Sequence, residues 1–177
     1  MSEKELIKNL IKGKETAYKE VIDLYGDQLF RTCYLILRDK LDAEDVVQET
    51  LIKVFKNIKN FKGDSKLYTW IYKIALNLSR DILRKKVDFS SLEDEWIGEE
   101  DPHFHIEKEI DKEVLKKELK ALNPIYYEVL VLFYLQEFPI KEIARMLETS
   151  EGTVKSRLSR ARNILKTELE KEESLIG

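Results

Sequence analysis

Val21, Tyr25, Leu29, Cys33 and Leu37 follow one another at intervals of four residues. At about 100° per residue, that spacing lays them along one side of a helix. Similar stripes recur down the chain: Val47, Leu51, Val54 and Ile58; then Leu67, Ile71, Ile74, Leu78 and Ile82; then Val154, Leu158, Ala161 and Leu165. Only three prolines and six glycines interrupt 177 residues, and helix interiors tolerate neither residue well. The fold class expected is therefore all-α. Cys33 belongs to the first stripe and reads as a small buried hydrophobe rather than a reactive thiol. As the only cysteine it excludes an internal disulfide and argues against a Cys-rich zinc module.

Charge divides the chain. Residues 1–86 are net +5, residues 87–112 net −8 and residues 113–177 neutral, within an overall −3. The acidic middle, VDFSSLEDEWIGEEDPHFHIEKEIDK, carries a Gly, a Pro and a Ser pair, and its first part lacks helical periodicity. That is the signature of a linker. Two small helical domains are expected, 1–86 and 113–177, joined by a flexible acidic tether over 87–112. Both histidines, His103 and His105, fall in the tether, and two ligands there make a poor metal site. No metal or other cofactor is expected. Met1 is followed by a charged amphipathic stretch, so no secretory leader is expected. The longest apolar run, Tyr126 to Leu135, is too short to span a bilayer and contains Glu128. A soluble, cytoplasmic protein is the reading.

In the first domain, DAEDVVQETLIKVFKNI reads as a helix with Asp42 as its N-cap. Asp42, Asp45 and Glu49 form an acidic line along it. Acids suit a first turn, where they face the positive end of the helix dipole, which accounts for Asp42 and Asp45 but not for Glu49. A docking surface for a basic partner helix is the alternative. From Ser65 to Lys86, Lys66, Trp70, Lys73, Asn77, Arg80 and Arg84 fall along one line, away from the apolar stripe. Cations neutralise phosphates, an indole stacks on bases and an amide pairs with a base edge, so the row suits single-stranded or opening DNA. A solvated basic face with a half-buried Trp is the other reading of the same spacing. The preceding NFKGDS is a turn in which Gly63 permits an unusual backbone angle and Asp64 or Ser65 can cap the next helix. It is either a pocket for an extruded base or an ordinary connection.

In the second domain, Asn123-Pro124 opens a helix, and the apolar residues from Ile125 to Leu135 are dense enough for a buried one. Pro139 starts a short helix with Ile140, Ile143, Ala144 and Leu147 inward. Ser150 caps the next, EGTVKSRLSRAR, whose inner stripe begins at Val154. Ser156, Ser159, Arg160 and Asn163 lie opposite that stripe, with Lys155 and Arg162 on one flank and Arg157 on the other. A short helix, a tight turn and a helix with a polar, basic outer face make a helix-turn-helix suited to the DNA major groove.

Three segments together, DAEDVVQETLIKVF, FKGDSKLYTWIYKIALNLSRDILRKK and EIARMLETSEGTVKSRLSRAR, resemble the signatures of the extracytoplasmic-function (ECF) sigma factors of the sigma-70 family. The resemblance runs from about residue 14 to 170. It implies a transcription initiation factor that is not an enzyme and that directs core RNA polymerase to promoters. It implies that Asp42, Asp45, Gln48 and Glu49 dock on the clamp coiled coil of polymerase, and that the rest of the second domain meets the flap. Phe61, Lys62, Gly63, Asp64 and Ser65, with Trp70 and Asn77, match the minus-ten pocket, and Lys66, Lys73, Arg80 and Arg84 the neighbouring strand contacts. Thr153, Lys155, Ser156, Arg157, Ser159, Arg160 and Arg162 match the minus-thirty-five reader, with Arg157 and Arg162 on phosphate. It implies an anti-sigma partner, often membrane-bound in the family. Two positions depart from the pattern: Glu148 stands where the turn usually has Gly or Asn, and Ser159 is smaller than usual. The tail after Leu169 is short, so no appended regulatory domain is expected. Acids of the tether, Glu99, Glu100 and Asp101 among them, are expected near basic surfaces meant for nucleic acid, where they mimic phosphate.

Three other readings compete. A stand-alone helix-turn-helix repressor needs neither the basic row nor the acidic helix. An enzyme finds no support, because there is no GxxxxGK[ST] loop and no nucleophile–base pair. A pure interaction bundle leaves both basic stripes merely solvated.

Overall fold

Four short polar residues, Ser2, Asp39, Asn123 and Ser150, each stand just before a helix and satisfy a backbone N–H that the helix itself leaves unpaired. In the computed structural model, which describes residues 2–86 and 112–176, the helices are α1 (Glu3–Ile11), α2 (Glu15–Leu37), α3 (Lys40–Asn57), α4 (Leu67–Lys86), α5 (Lys112–Ala121), α6 (Pro124–Leu130), α7 (Ile140–Met146) and α8 (Glu151–Ile176). A 3-10 turn, Ile58–Asn60, ends α3, and a π turn, Val131–Leu135, ends α6. There is no strand among the described residues. The expected tether, with His103, His105 and Glu99 to Asp101, lies outside them except for Lys112. Two compact units emerge, one built on α1–α4 and the other on α5, α6 and α8.

The first unit is three long helices, α2, α3 and α4, each packed on the other two, with α1 against α2. Val21, Leu29, Cys33 and Leu37 are buried as the α2 stripe requires, and Tyr25 is half-buried. On α3 the buried line is Ala43, Val46, Thr50 and Val54, and Val47 and Leu51 lie half-buried beside it. On α4 it is Leu67, Ile71, Tyr72, Ala75, Leu76 and Ser79, and Ile74, Leu78 and Ile82 are half-buried. Both faces are therefore rotated from the expected stripes. A stripe drawn from hydrophobicity follows the largest apolar residues. A helix wedged between two others buries a wide arc centred on small residues that allow close approach.

Asp42 is not the cap of α3. Arg38 takes a left-handed conformation (φ 56°) and donates its N–H to the Tyr34 carbonyl at 2.8 Å, which stops α2 at Leu37. The next helix has to start at once, so Asp39 is its cap, accepting from the Asp42 N–H at 3.1 Å. Asp42 then sits inside the first turn.

In the second unit α8 packs on α5 and α6. Asn123 caps α6 as expected, its side-chain oxygen accepting from the Ile125 N–H at 3.0 Å. Ile143, Ala144 and Met146 of α7 are buried, as is Leu147 beyond its end, and of these Ile143 belongs to the second unit. The turn reverses at Glu148, whose φ of 54° is the left-handed backbone that Gly or Asn adopts more cheaply. Ser150 then accepts from the Thr153 N–H at 3.0 Å and starts α8, where Val154, Leu158, Ala161, Leu165 and Leu169 are buried. Among the described residues no helix is long and apolar enough to cross a membrane. Nor does any group of three or more His, Cys, Asp or Glu there fit a metal ion.

Candidate nucleic-acid and partner-helix surfaces

The row on α4 follows from where its core face lies. Tyr72, Ala75 and Ser79 point into the unit, so residues about half a turn away point out of it. Lys66 and Arg84 are exposed, and Trp70, Lys73, Asn77 and Arg80 are half-buried. At the head of the row the Phe61 ring lies 5.3 Å from that of Trp70, tilted by 44°. Gly63, between them in the chain, has φ 77°, so the unusual backbone angle expected there is present. Asn60, Phe61, Lys62, Asp64, Ser65, Thr69 and Trp70 line a common hollow. The Ser65 hydroxyl donates to the Lys66 carbonyl at 3.2 Å. Lys66 stands 5.5 Å over the Tyr68 ring, and Arg84 pairs with Asp81 one turn back at 3.4 Å.

The acidic side of α3 is less uniform than its sequence. Asp42 accepts a hydrogen bond from the Lys86 ammonium at the end of α4, and Asp39 lies 3.9 Å from the same nitrogen. The bond to Asp42 chiefly raises the Lys86 pKa; desolvation opposes it, and the nearby Asp42 and Asp39 charges add to the rise. Glu49, which the helix dipole does not explain, pairs with Lys53 one turn on at 3.0 Å. Asp45 and Gln48 are exposed. Sequence reasoning missed what flanks them: Leu41 is 72% exposed and Ile52 45%. Leu41, Asp45, Gln48 and Ile52 are spaced four, three and four, the seam spacing of one helix lying along another. The spacing is legible in the sequence, but it joins apolar and polar residues that a line through the acids alone passes by.

On α8, Lys155 is exposed, and Thr153, Ser156, Arg157, Arg160 and Arg162 are half-buried. The Thr153 hydroxyl lies 2.8 Å from that of Ser150, and the Ser156 hydroxyl donates to the Thr153 carbonyl at 3.0 Å. Arg160 sits over the Tyr126 ring, 5.8 Å from its centroid, and Arg162 donates to the Tyr134 hydroxyl at 3.4 Å. Ser159 corrects the expected outer face. It is 1% exposed, and its hydroxyl has no hydrogen-bond partner among the described residues. Two helices pack on α8, which widens its buried arc, and a side chain as short as serine does not reach past its neighbours to the surface.

Residues 21–88 match the family model for sigma-70 region 2, and residues 112–165 match that for sigma-70, region 4. The chain is 33% identical over 180 residues to the ECF RNA polymerase sigma factor SigW of Bacillus subtilis, covering 94% of this chain and 96% of that protein. It is 32% identical over 153 residues to SigM of the same organism, covering 83% and 91%. Among solved structures it is similar to the sigma factor RpoE of Bartonella quintana, determined with the anti-sigma factor NepR. There the identity is 27% and the TM-score 0.64, over 86% of this chain and 96% of that one. CnrH, determined with the cytosolic domain of CnrY, shares the fold at 21% identity and TM-score 0.69, over 96% and 97%.

Proposed function

Because the chain belongs to the ECF sigma factors of the sigma-70 family, we propose a division of its promoter work among the surfaces just described. The protein is a promoter-specific transcription initiation factor and not an enzyme. Residues 1–86 serve as the minus-ten and polymerase-binding domain, 113–177 as the minus-thirty-five domain, and 87–112 as the tether. The observation that carries this reading is the α4 row. Five residues suited to nucleic acid lie along one line of α4, opposite its buried face, with Lys66 just before its start, and the line begins at an aromatic pair beside the Gly63 turn. Lys66, Lys73, Arg80 and Arg84 hold phosphates, Asn77 reads a base edge, and Phe61, Lys62, Gly63, Asp64, Ser65 and Trp70 receive an extruded base. Capturing that base shifts the duplex toward its open form by mass action, so no hydrolysis is required.

Lys155, Ser156, Arg160 and Thr153 face the major groove of the upstream element, with Arg157 and Arg162 on phosphate. Ser159 contributes by packing rather than by contact. Asp45 and Gln48, with Leu41 and Ile52 at either end, take a basic helix of the polymerase clamp. Asp42 and Glu49, already paired within the unit, supply surrounding negative charge. The remainder of the second unit meets the flap. An anti-sigma protein, as in the RpoE–NepR complex, holds the factor inactive, and the cytoplasm is where it works.

Reconstituted transcription with core RNA polymerase tests this. Asp45→Arg is expected to abolish joining to core without lowering helix content. Lys66→Ala with Arg84→Ala is expected to leave joining intact and reduce open-complex formation. A chain that binds duplex DNA tightly alone, and neither joins core nor directs initiation, is a repressor, and the reading fails.

A further inference from the structure

The run Ile125 to Leu135 is apolar apart from Glu128, yet it does not continue as one buried α-helix. After Leu130 the chain takes a π turn, closed by the Gln136 N–H donating to the Val131 carbonyl at 3.0 Å. A π turn holds one more residue than an α turn, so it changes the direction of the side chains that follow. Tyr134 and Leu135 emerge 46% and 59% exposed. The Phe133 ring meets that of Tyr134 edge-on, 5.0 Å away at 89°, and limits its swing. So braced, the Tyr134 hydroxyl accepts from Arg162. Two turns earlier Tyr126, only 5% exposed, presents its ring face to Arg160.

Arg160 and Arg162 are two residues apart, hence about 200° apart around α8. They project to opposite sides of the helix proposed to enter the groove. α6 packs against α8, and the one segment 126–134 supplies a tyrosine to each arginine. An unrestrained arginine loses much rotamer freedom on binding. One already leaning on a ring or a hydroxyl loses less, and so binds more tightly for the same final contact.

We propose that Tyr126 and Tyr134 are positioning residues for promoter binding, one orienting Arg160 through its ring face and the other Arg162 through its hydroxyl. The proposal rests on the reading of α8 as the DNA-contacting helix. Neither tyrosine touches DNA in it. They fix where two guanidinium groups wait.

The test uses holoenzyme reconstituted from the full chain and core RNA polymerase. The probe is a duplex selected by the wild-type holoenzyme from a library randomised in the upstream element. Arg160→Ala and Arg162→Ala come first. If neither weakens binding, the reading of α8 fails and the proposal goes with it. If they do weaken binding, Tyr134→Phe is expected to raise Kd about threefold and Tyr126→Leu about fivefold, with Tyr126→Phe near wild type because the ring face is retained. The slope of log Kd on log salt is expected to fall by about one with Arg162→Ala and to stay unchanged with Tyr134→Phe, because the latter keeps the charge. In the Arg162→Ala background Tyr134→Phe is expected to have no further effect, and likewise Tyr126→Leu in the Arg160→Ala background. Additive losses, or a Tyr126→Phe variant as weak as Tyr126→Leu, would overturn the proposal. Tyr134 is exposed, so its variant tests the idea even if Tyr126→Leu fails to fold.

Discussion

Alkaline pH offers a direct test of how the first unit is packed. Cys33 is wholly buried on α2, and burial pushes its thiol up from an ordinary 9.0 to about 12. In the unfolded chain the thiol ionises near its ordinary value, while in the folded unit it keeps its proton. Between the two values the unfolded state has therefore lost a proton that the native state retains, and raising the pH favours unfolding. The contribution is fully present below about pH 9 and falls by about 1.4 kcal/mol per pH unit above it, or about 2 kcal/mol between pH 9 and 11. That is a large share of a typical domain stability of about 5–15 kcal/mol. Tyr72, whose hydroxyl is also raised by burial, titrates in the same direction, so the comparison has to be with Cys33→Ala. The chain has two tryptophans, Trp70 and Trp96. With Trp96 replaced by Phe, Trp70 fluorescence during urea unfolding follows the first unit alone. The wild type, more stable at pH 8, is expected to lose about 2 kcal/mol of its advantage over Cys33→Ala by pH 11. Parallel decline of the two proteins across that range would refute the reasoning, because the thiol would then titrate alike in both states.

Three further outcomes are expected. Gly63→Ala places a Cβ in open space but at φ 77°, so it costs about 1 kcal/mol of stability from backbone strain alone, read by thermal unfolding. Ser150→Ala removes the cap of α8 and costs about 1 kcal/mol, read in the same way. Ser159→Ala deletes a buried hydroxyl with no partner among the described residues. Its stability is expected to be unchanged or raised by up to about 1 kcal/mol, with upstream-element preference in a selection experiment the same as wild type. A changed preference would return Ser159 to the DNA-contacting set.

What was legible in the sequence was what a few neighbouring residues decide. Asn123 and Ser150 announce their helices because a cap needs only its own side chain and an N–H two or three residues on. The inner stripe of α8 holds from Val154 to Leu165 for the same local reason. Gly63 was recognisable because its backbone angle is a property of one residue. Features set by a second element were less legible. Asp39 displaced Asp42 as a cap because of where α2 stops. Thr50 and Ser79 are buried because two helices close over them, not because they are apolar. The turn at Glu148 was flagged by a family pattern, and its left-handed backbone explains why glycine or asparagine is usual there. Tyr134 could not be placed at all. A π turn alters the helical phase on which periodicity arguments depend, and nothing in VLVLFYL marks where that happens.

The π turn also sets which kinds of change the second unit can absorb. A turn of this type is what an α-helix becomes when one residue too many is accommodated without breaking it. Swapping one apolar side chain for another within Val131–Leu135 alters packing and leaves the chain's course intact. Removing a single residue would restore plain α geometry, turning everything downstream by about 100° and drawing it back by about 1.5 Å. Arg162 would lose its hydroxyl partner although no residue of α8 had been altered. In this segment length carries information that composition does not, and a single-codon deletion would be felt more than most substitutions.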